Sequence, residues 1–419
     1  MSTTGAAEAV VYAAVRTPCG RGRSGGALYG VKPVSLVAGL VGEIRERNPT
    51  LDLDRLDDLV LGVATPLGDQ GGDLARAAAL VAGLPDDVGG LVVNRIGASG
   101  LEAVNLAAAR VRAGGDALLL AGGVESMSRL PAGVDGGPWA NDPATNYLTH
   151  YVPPGVAADL LATVTGLTRT DLDTYAARSR QRATAAWADG RFDQAVVPVR
   201  DHGLPVLDHD ERVGPVGPGE QVAPERLDAV AGFLARLAPA FTQAGEQAGF
   251  DAVALRRYHW LERVEHVHTA GNAAGAADGA ALVLIGDAEV GAELGLRPLA
   301  RVVGSASAGA EPTLALTGAG AATRKLLART GLSVADVDLF EVDESYAAVP
   351  LAYQRDLDVP DDRLNVNGGG IALGHPLGAT GAMLVATAVA ELSRRGARRA
   401  VVALSAAAGM GVATLLERI

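Results

Sequence analysis

The chain has 419 residues, of which 48 % are hydrophobic and 20 % charged, so it can build a large core and is not a disordered chain. Its net charge of −12, from 36 Lys+Arg against 48 Asp+Glu, argues against general binding of nucleic acid or anionic membrane, which both need a positive footprint. One cysteine, Cys19, excludes a disulfide framework and a multi-cysteine metal site. No uncharged apolar run of about 18 residues marks a membrane span. Met1–Val10 lacks the pattern of a signal peptide, so a cytoplasmic protein is the expectation.

In chain order, Val10–Val15 reads as a buried strand, Val34–Glu46 as a helix, Leu59–Ala64 as a strand and Asp73–Ala82 as an Ala-rich helix. Alternating strands and helices predict a sheet covered by helices. Val93-Asn94 then leads into a Gly-containing turn and an Ala-rich helix to about Arg112. The strand Ala117–Ala121 follows and is expected to end at Gly122-Gly123.

The same order returns near the C-terminus. Val366-Asn367 opens a Gly-rich loop, an Ala-rich helix runs to about Arg395, and the strand Ala400–Leu404 ends in a small-residue loop. Each half places a tight loop at a helix start, where backbone N–H groups attract negative charge. The echo reads either as an internal duplication or as two unrelated strand–loop–helix units.

Ser128–His268 differs from both halves. It holds all three tryptophans, six of the seven histidines and Pro/Gly stretches such as Val213–Gly219, with one clear helix at Thr170–Asp189. It reads as an inserted, loop-rich subdomain, of a kind that often covers a ligand site.

Eight segments, in one order and covering nearly the whole chain, carry a resemblance. They are Arg16-Thr17-Pro18, GDQGGDLARAAALVAGLP (68–85), VNRIGASGLEAV (93–104), GGVESMSR (122–129), TAGNAAGAADGAA (269–281), VDESYAAV (342–349), VNGGGIALGHPLGATGA (366–382) and SAAAGMGVA (405–413). Together they resemble the thiolase family. The resemblance implies a fold of two similar α/β halves in a five-layered αβαβα arrangement with an inserted loop domain. The implied division is 1–128 plus 268–292, 129–267 and 293–419. It also implies carbon–carbon bond chemistry beside a CoA thioester, with no bound cofactor. The expected partner is an acyl-CoA or acyl-carrier thioester. A homodimer or homotetramer is expected, with a second thiolase-like subunit as a possible companion.

The family pattern has a nucleophilic cysteine at a helix start, a Gly-His-Pro histidine, a second cysteine and an Asn-Glu-Ala-Phe asparagine. A helix start lowers a thiol pKa and makes it a better nucleophile, while backbone N–H groups hold the oxyanion. Here the nucleophile position is Gly97, the second cysteine is Ser405, and the asparagine is Asp343, followed by Glu344-Ser345-Tyr346. Ala274 replaces a serine that contacts the CoA arm in relatives, and Pro154–Asp159 replaces Met-Gly-x-Thr-Ala-Glu. His375 is retained.

These residues set the expectations. His375 is the general base, with Ser405, Asp343 and Tyr346 as catalytic candidates. Ser405 would pair with His375 as nucleophile, and Asp343 would either oppose an oxyanion or orient His375. The N–H groups of Gly97 and Ala407 would grip a thioester oxygen. Pro154 and Ala274 would border the substrate. Roughly twenty extra residues precede Thr269 and bring Arg256, Arg257 and Trp260, which read as contacts for CoA phosphates and adenine or as a solvated face. Ser99 reads as a packing or capping residue and Cys19 as inert. The reading is an acyltransferase-like enzyme without a cysteine nucleophile, acting in acyl transfer, carbon–carbon bond formation or cleavage including retro-aldol, or thioester hydrolysis. The alternative is a non-catalytic subunit of an active thiolase.

Overall fold

The computed structural model describes residues 7–131, 133–213 and 230–419. The Pro/Gly stretch of the insertion, apart from Val213, lies outside them. The described strands are β1 (Ala9–Arg16), β2 (Gly20–Arg21), β3 (Asp58–Gly62), β4 (Leu91–Val93), β5 (Leu118–Ser126), β6 (Val199–Asp201), β7 (Leu204–Leu207), β8 (Ala277–Asp287), β9 (Ala300–Gly309), β10 (Leu339–Val342), β11 (Arg399–Ala406) and β12 (Met410–Arg418). Ten of them make one sheet, ordered β10-β11-β12-β9-β1-β8-β5-β3-β4, with β2 beside β8; β6 and β7 form a separate ribbon.

The sheet contains the same pattern twice. β3 runs parallel to β5, which pairs antiparallel with β8, which pairs antiparallel with β1. β10 runs parallel to β11, which pairs antiparallel with β12, which pairs antiparallel with β9. The echo in the sequence is therefore a duplication of topology. The halves join where Val10 faces Arg301 and Val11 faces Ala300.

Two helices, Ser99–Arg112 and Leu377–Arg395, pack between the strands of the two halves. The second is apolar nearly all round, reading Gly, Ala, Val and Leu, and is buried from Gly378 to Leu392. Each core Val or Leu contributes about 1.5–3 kcal/mol on burial. Helices Pro33–Arg47 and Leu74–Val81 cover the first half's outer face, and Gly318–Thr330 covers the second. This is the five-layered αβαβα arrangement of the thiolase fold.

Glycine lets the two central helices touch. A Cβ on Gly100 would lie 2.6 Å from the Gly378 carbonyl, and one on Gly381 would strike the Leu101 backbone. Both helix starts are thereby held side by side, together with the loops that lead into them. β5 does not stop at Gly122-Gly123 but runs on to Ser126. A side chain at Gly123 would collide with the Gly378 carbonyl, so the glycines admit a helix start rather than end the strand.

The insertion anchors to the first half through a buried ion pair. Asp210 takes two hydrogen bonds from Arg16, at 2.8 and 2.9 Å, and one from the Cys19 N–H at 2.7 Å. Its extra segment contains a helix, Phe250–Arg257. His266 ties this helix to helix Pro154–Thr165, with Nδ1 2.8 Å from Asp159 and Nε2 3.0 Å from Asp251. Burial pulls the His266 pKa down, but the two carboxylates outweigh it and the net shift is upward. The protonated ring binds more protons folded than unfolded. Its stabilisation is complete below the unfolded value of about 6.5 and is lost as pH rises through the higher folded value. Urea midpoints measured on either side of that window should fall with rising pH, and a His266→Phe variant should lose that component of the slope.

Candidate active site

The turn Asn94–Ser99 presents residue 97. Ile96 sits at φ +49°, a conformation unfavourable for a β-branched residue. Side chains hold it there: the Ile96 N–H donates to Asn94 at 2.8 Å, and the Ser99 hydroxyl accepts from Arg95 N–H at 2.8 Å and donates to the Ile96 carbonyl at 2.6 Å. Ser99 is the first residue of its helix and fastens the turn.

His375 comes from the other helix start and is buried. Its backbone N–H donates to the Gly275 carbonyl at 3.1 Å. Its Nδ1 lies 2.8 Å from the Thr380 hydroxyl, which itself donates to the Pro376 carbonyl at 2.9 Å. The hydroxyl proton is therefore committed, so Nδ1 carries the ring proton and Nε2 is left with its lone pair. A Cβ built on Gly97 would lie 3.5 Å from that Nε2 and 3.6 Å from Leu377 Cδ2. The bare nitrogen thus faces the position from which a side chain at 97 would project. Burial pushes the imidazole down to about 4, so it is neutral near pH 7.

Ser405 is placed otherwise than expected. Its hydroxyl donates to the Leu316 carbonyl at 2.8 Å and accepts from the Ala319 N–H at 3.1 Å. It fastens the start of helix Gly318–Thr330 and is not paired with His375. Asp343 does not orient His375 either; Thr380 does. Asp343 accepts from the Ser405 N–H at 2.9 Å and the Ser345 hydroxyl at 2.8 Å, and burial raises its carboxyl to about 6. Tyr346 packs edge-on against Phe241 and His268, with ring centroids 5.6 Å away in both cases, and burial raises its phenol pKa.

Glu344 organises the Gly-rich loop. It accepts from the Tyr175 hydroxyl at 2.7 Å, the Ser179 hydroxyl at 2.6 Å and Asn365 at 3.0 Å. Ala274, bonded through its N–H to the Ser345 carbonyl at 2.9 Å, borders Gly370 in the same loop. Ala407 opens the turn between β11 and β12. The next residue, Ala408, is held at φ +59°, ψ +30°. That left-handed conformation costs an L-residue about 1–2 kcal/mol, while glycine there loses part of the gain through its greater unfolded-state freedom. Ala408→Gly should raise stability by roughly 0.5–1 kcal/mol, read as a higher urea midpoint at unchanged slope.

A cavity of about 370 Å³ reaches Ala408 and is lined by Trp139, Leu148, His150, Arg257 and Glu311, among others. Arg257 lies here, its Nε 3.6 Å from Glu311. Arg256 instead stacks over the Tyr147 ring at 4.0 Å. Trp260 is largely exposed and meets Tyr258 and His259 edge-on. Pro154 begins a helix whose Gly155 lies against Phe241. Cys19 is buried, its thiol pKa raised by burial, and lies 3.8 Å from the Met383 sulfur. Thr380 was not anticipated from the sequence; its place five residues after the histidine, on the first turn of the helix that begins at Leu377, is the signal that would have shown it.

A helix-start turn facing a Gly-His-Pro histidine, set between duplicated halves, defines a thiolase-type site. Family models agree. "Thiolase, N-terminal domain" matches residues 9–255 and "Thiolase, C-terminal domain" matches 296–418. The chain is 38 % identical to an Escherichia coli beta-ketoadipyl-CoA thiolase, over 98 % of this chain and 100 % of that one. It is 34 % identical to a 3-ketoacyl-CoA thiolase of Colwellia psychrerythraea, again over 98 % and 100 %. The crystal structure of the Bacillus anthracis acetyl-CoA acetyltransferase superposes with a TM-score of 0.82 at 32 % identity, covering all of both chains. The chain belongs to the thiolase family. No helix among the described residues is long and apolar enough to cross a membrane.

Proposed function

We propose that this chain is an acyl-CoA enzyme in which His375 acts as general base and no cysteinyl intermediate forms. The observation that carries the reading is the bare Nε2 of His375 facing the Cβ position of Gly97. In acyl transfer, Nε2 takes the proton of a small nucleophile as it attacks the thioester carbonyl. The N–H groups of Gly97 and Ala407 stabilise the oxyanion, and the CoA thiolate leaves and recovers the proton from the imidazolium. A low pKa makes the free histidine a weak base but a strong proton donor to the leaving thiolate. The developing oxyanion raises that pKa during reaction.

The same base can remove a proton for carbon–carbon bond formation or cleavage. Tyr346, kept protonated by burial, is the candidate donor to a developing alkoxide. Asp343 and Ser405 support the loop that carries Ala407 and are not assigned a chemical step. The names of the relatives support a CoA thioester as substrate. The strand pattern fits the division into 1–128 with 268–292, 129–267 and 293–419.

The test is incubation with acetoacetyl-CoA and acetyl-CoA, following release of CoA and intact protein mass together. Turnover on a protein of unchanged mass is expected. A stable acyl group on the protein would overturn the reading.

A further inference from the structure

Three arginines converge on one cleft that the chemistry at His375 does not use. Arg21, Gly22, Arg23, Arg212 and Ala276 line a space of about 270 Å³. This is a cationic concentration in a chain of net charge −12. The described acids around it are largely committed. Asp210 holds Arg16, and Asp278 holds the Ser128 N–H and hydroxyl. Glu211 accepts from the N–H groups of Arg21, at 2.7 Å, and Ala27, at 2.9 Å, and approaches the Arg21 guanidinium only to 3.7 Å.

The backbone is built to permit the convergence. Gly22 donates to the Ala276 carbonyl at 2.8 Å, and a Cβ there would lie 2.6 Å from the Ala276 carbonyl carbon. The Arg212 guanidinium lies against Gly275 so closely that any side chain at 275 would occupy its place. It reaches the Ala276 carbonyl at 3.3 Å. Burial, and then Arg21, pull its pKa below the ordinary value. The segment that delivers it is fixed, because its neighbours Asp210 and Glu211 are bonded to the 16–27 segment. Like charges held together on rigid backbone raise the free energy of the empty cleft, and an anion relieves that repulsion. The forked geometry of guanidinium suits phosphate oxygens in particular.

We propose that the Arg21–Arg23–Arg212 cleft is a binding site for a phosphate group. Its floor, Gly275-Ala276, is bonded to the backbone N–H of His375, so the bound phosphate sits on the segment that sets the histidine's position. A phosphate on the nucleotide end of CoA, one on a phosphopantetheine arm and free inorganic phosphate share this chemistry.

The test is calorimetric titration of the full chain with inorganic phosphate at constant ionic strength, followed by competition with adenosine 3′,5′-bisphosphate and with 4′-phosphopantetheine. Saturable phosphate binding is expected. It should weaken at least about tenfold in Arg21→Ser/Arg23→Ser, since a hydrogen bond to a charged group is worth about 1.5–3 kcal/mol. The single variant Arg23→Ser, at an exposed position, should weaken it measurably while leaving the melting temperature unchanged. Competition by the bisphosphate identifies the nucleotide end as the source, and competition by phosphopantetheine alone identifies the arm. Competition by neither leaves inorganic phosphate as the ligand. Absence of saturable phosphate binding to the wild-type chain, or equal affinity in both variants, overturns the proposal. Because binding is read without turnover, this outcome is independent of whether His375 acts as a base.

Discussion

A His375→Asn variant should keep its fold and its affinity for acyl-CoA but lose about 10²–10⁴-fold in kcat, the usual contribution of a positioned acid–base group. Asparagine fills much of the ring's space and can still meet Thr380, so the loss reports the missing Nε2 lone pair rather than a cavity. Stopped assays of CoA release at saturating substrate measure it. Thr380→Val should give a smaller loss, because it frees the ring to rotate and to change tautomer without removing it. If the asparagine variant turns over at the wild-type rate, His375 is not the base. The pH profile adds a second reading. With the imidazole at about 4 in the unliganded site, the rate limb belonging to its deprotonation should lie on the acid side of neutrality.

Gly97→Cys should install a reactive nucleophile in one step. The Cβ meets only ordinary contacts, 3.5 Å from Nε2 and 3.6 Å from Leu377, and Gly97 is not in the left-handed region. The new thiol would sit at a helix start beside a neutral imidazole that can take its proton, two features that favour the thiolate. Incubation with acetyl-CoA should then give a protein heavier by one acetyl group, mapped to residue 97 by peptide mass. The wild-type chain should gain none, because Cys19 is buried with a raised pKa. An unmodified Gly97→Cys protein would mean that the thioester carbonyl is not delivered to this turn.

Much of the architecture was legible in the residues. Apolar runs gave β1 and β3, while the repeated strand–loop–helix order left duplication and two unrelated units both open until the strand pairings decided for duplication. Local pattern failed where tertiary contact sets the residue type. Gly122-Gly123 resembles a strand end, yet Gly123 is small because Gly378 presses on it. The convergence of residue 97 with His375 followed from the motifs. The orientation of the ring did not: the sequence points to Asp343 as a partner, whereas Thr380, which it does not single out, holds Nδ1. Ser405 misled for a related reason. A hydroxyl beside a catalytic loop has many acceptors in reach, and here the Leu316 carbonyl and the Ala319 N–H claim it. The arginines at 256 and 257 stand together in the chain, but one stacks on Tyr147 while the other enters a cavity. Those at 21, 23 and 212 are far apart in sequence, and only the folded loops bring them together.

The glycine-to-backbone seam at Gly100 and Gly381 carries a consequence for how such a scaffold diversifies. The distance between the two reactive loops is set by main chain against main chain, with no functional side chain in the joint. Reactive groups at 97 and 375 can therefore be exchanged like fittings on a fixed frame. New catalytic repertoires are open to point substitution there, whereas bulk added at the seam would prise the loops apart and disable every chemistry at once.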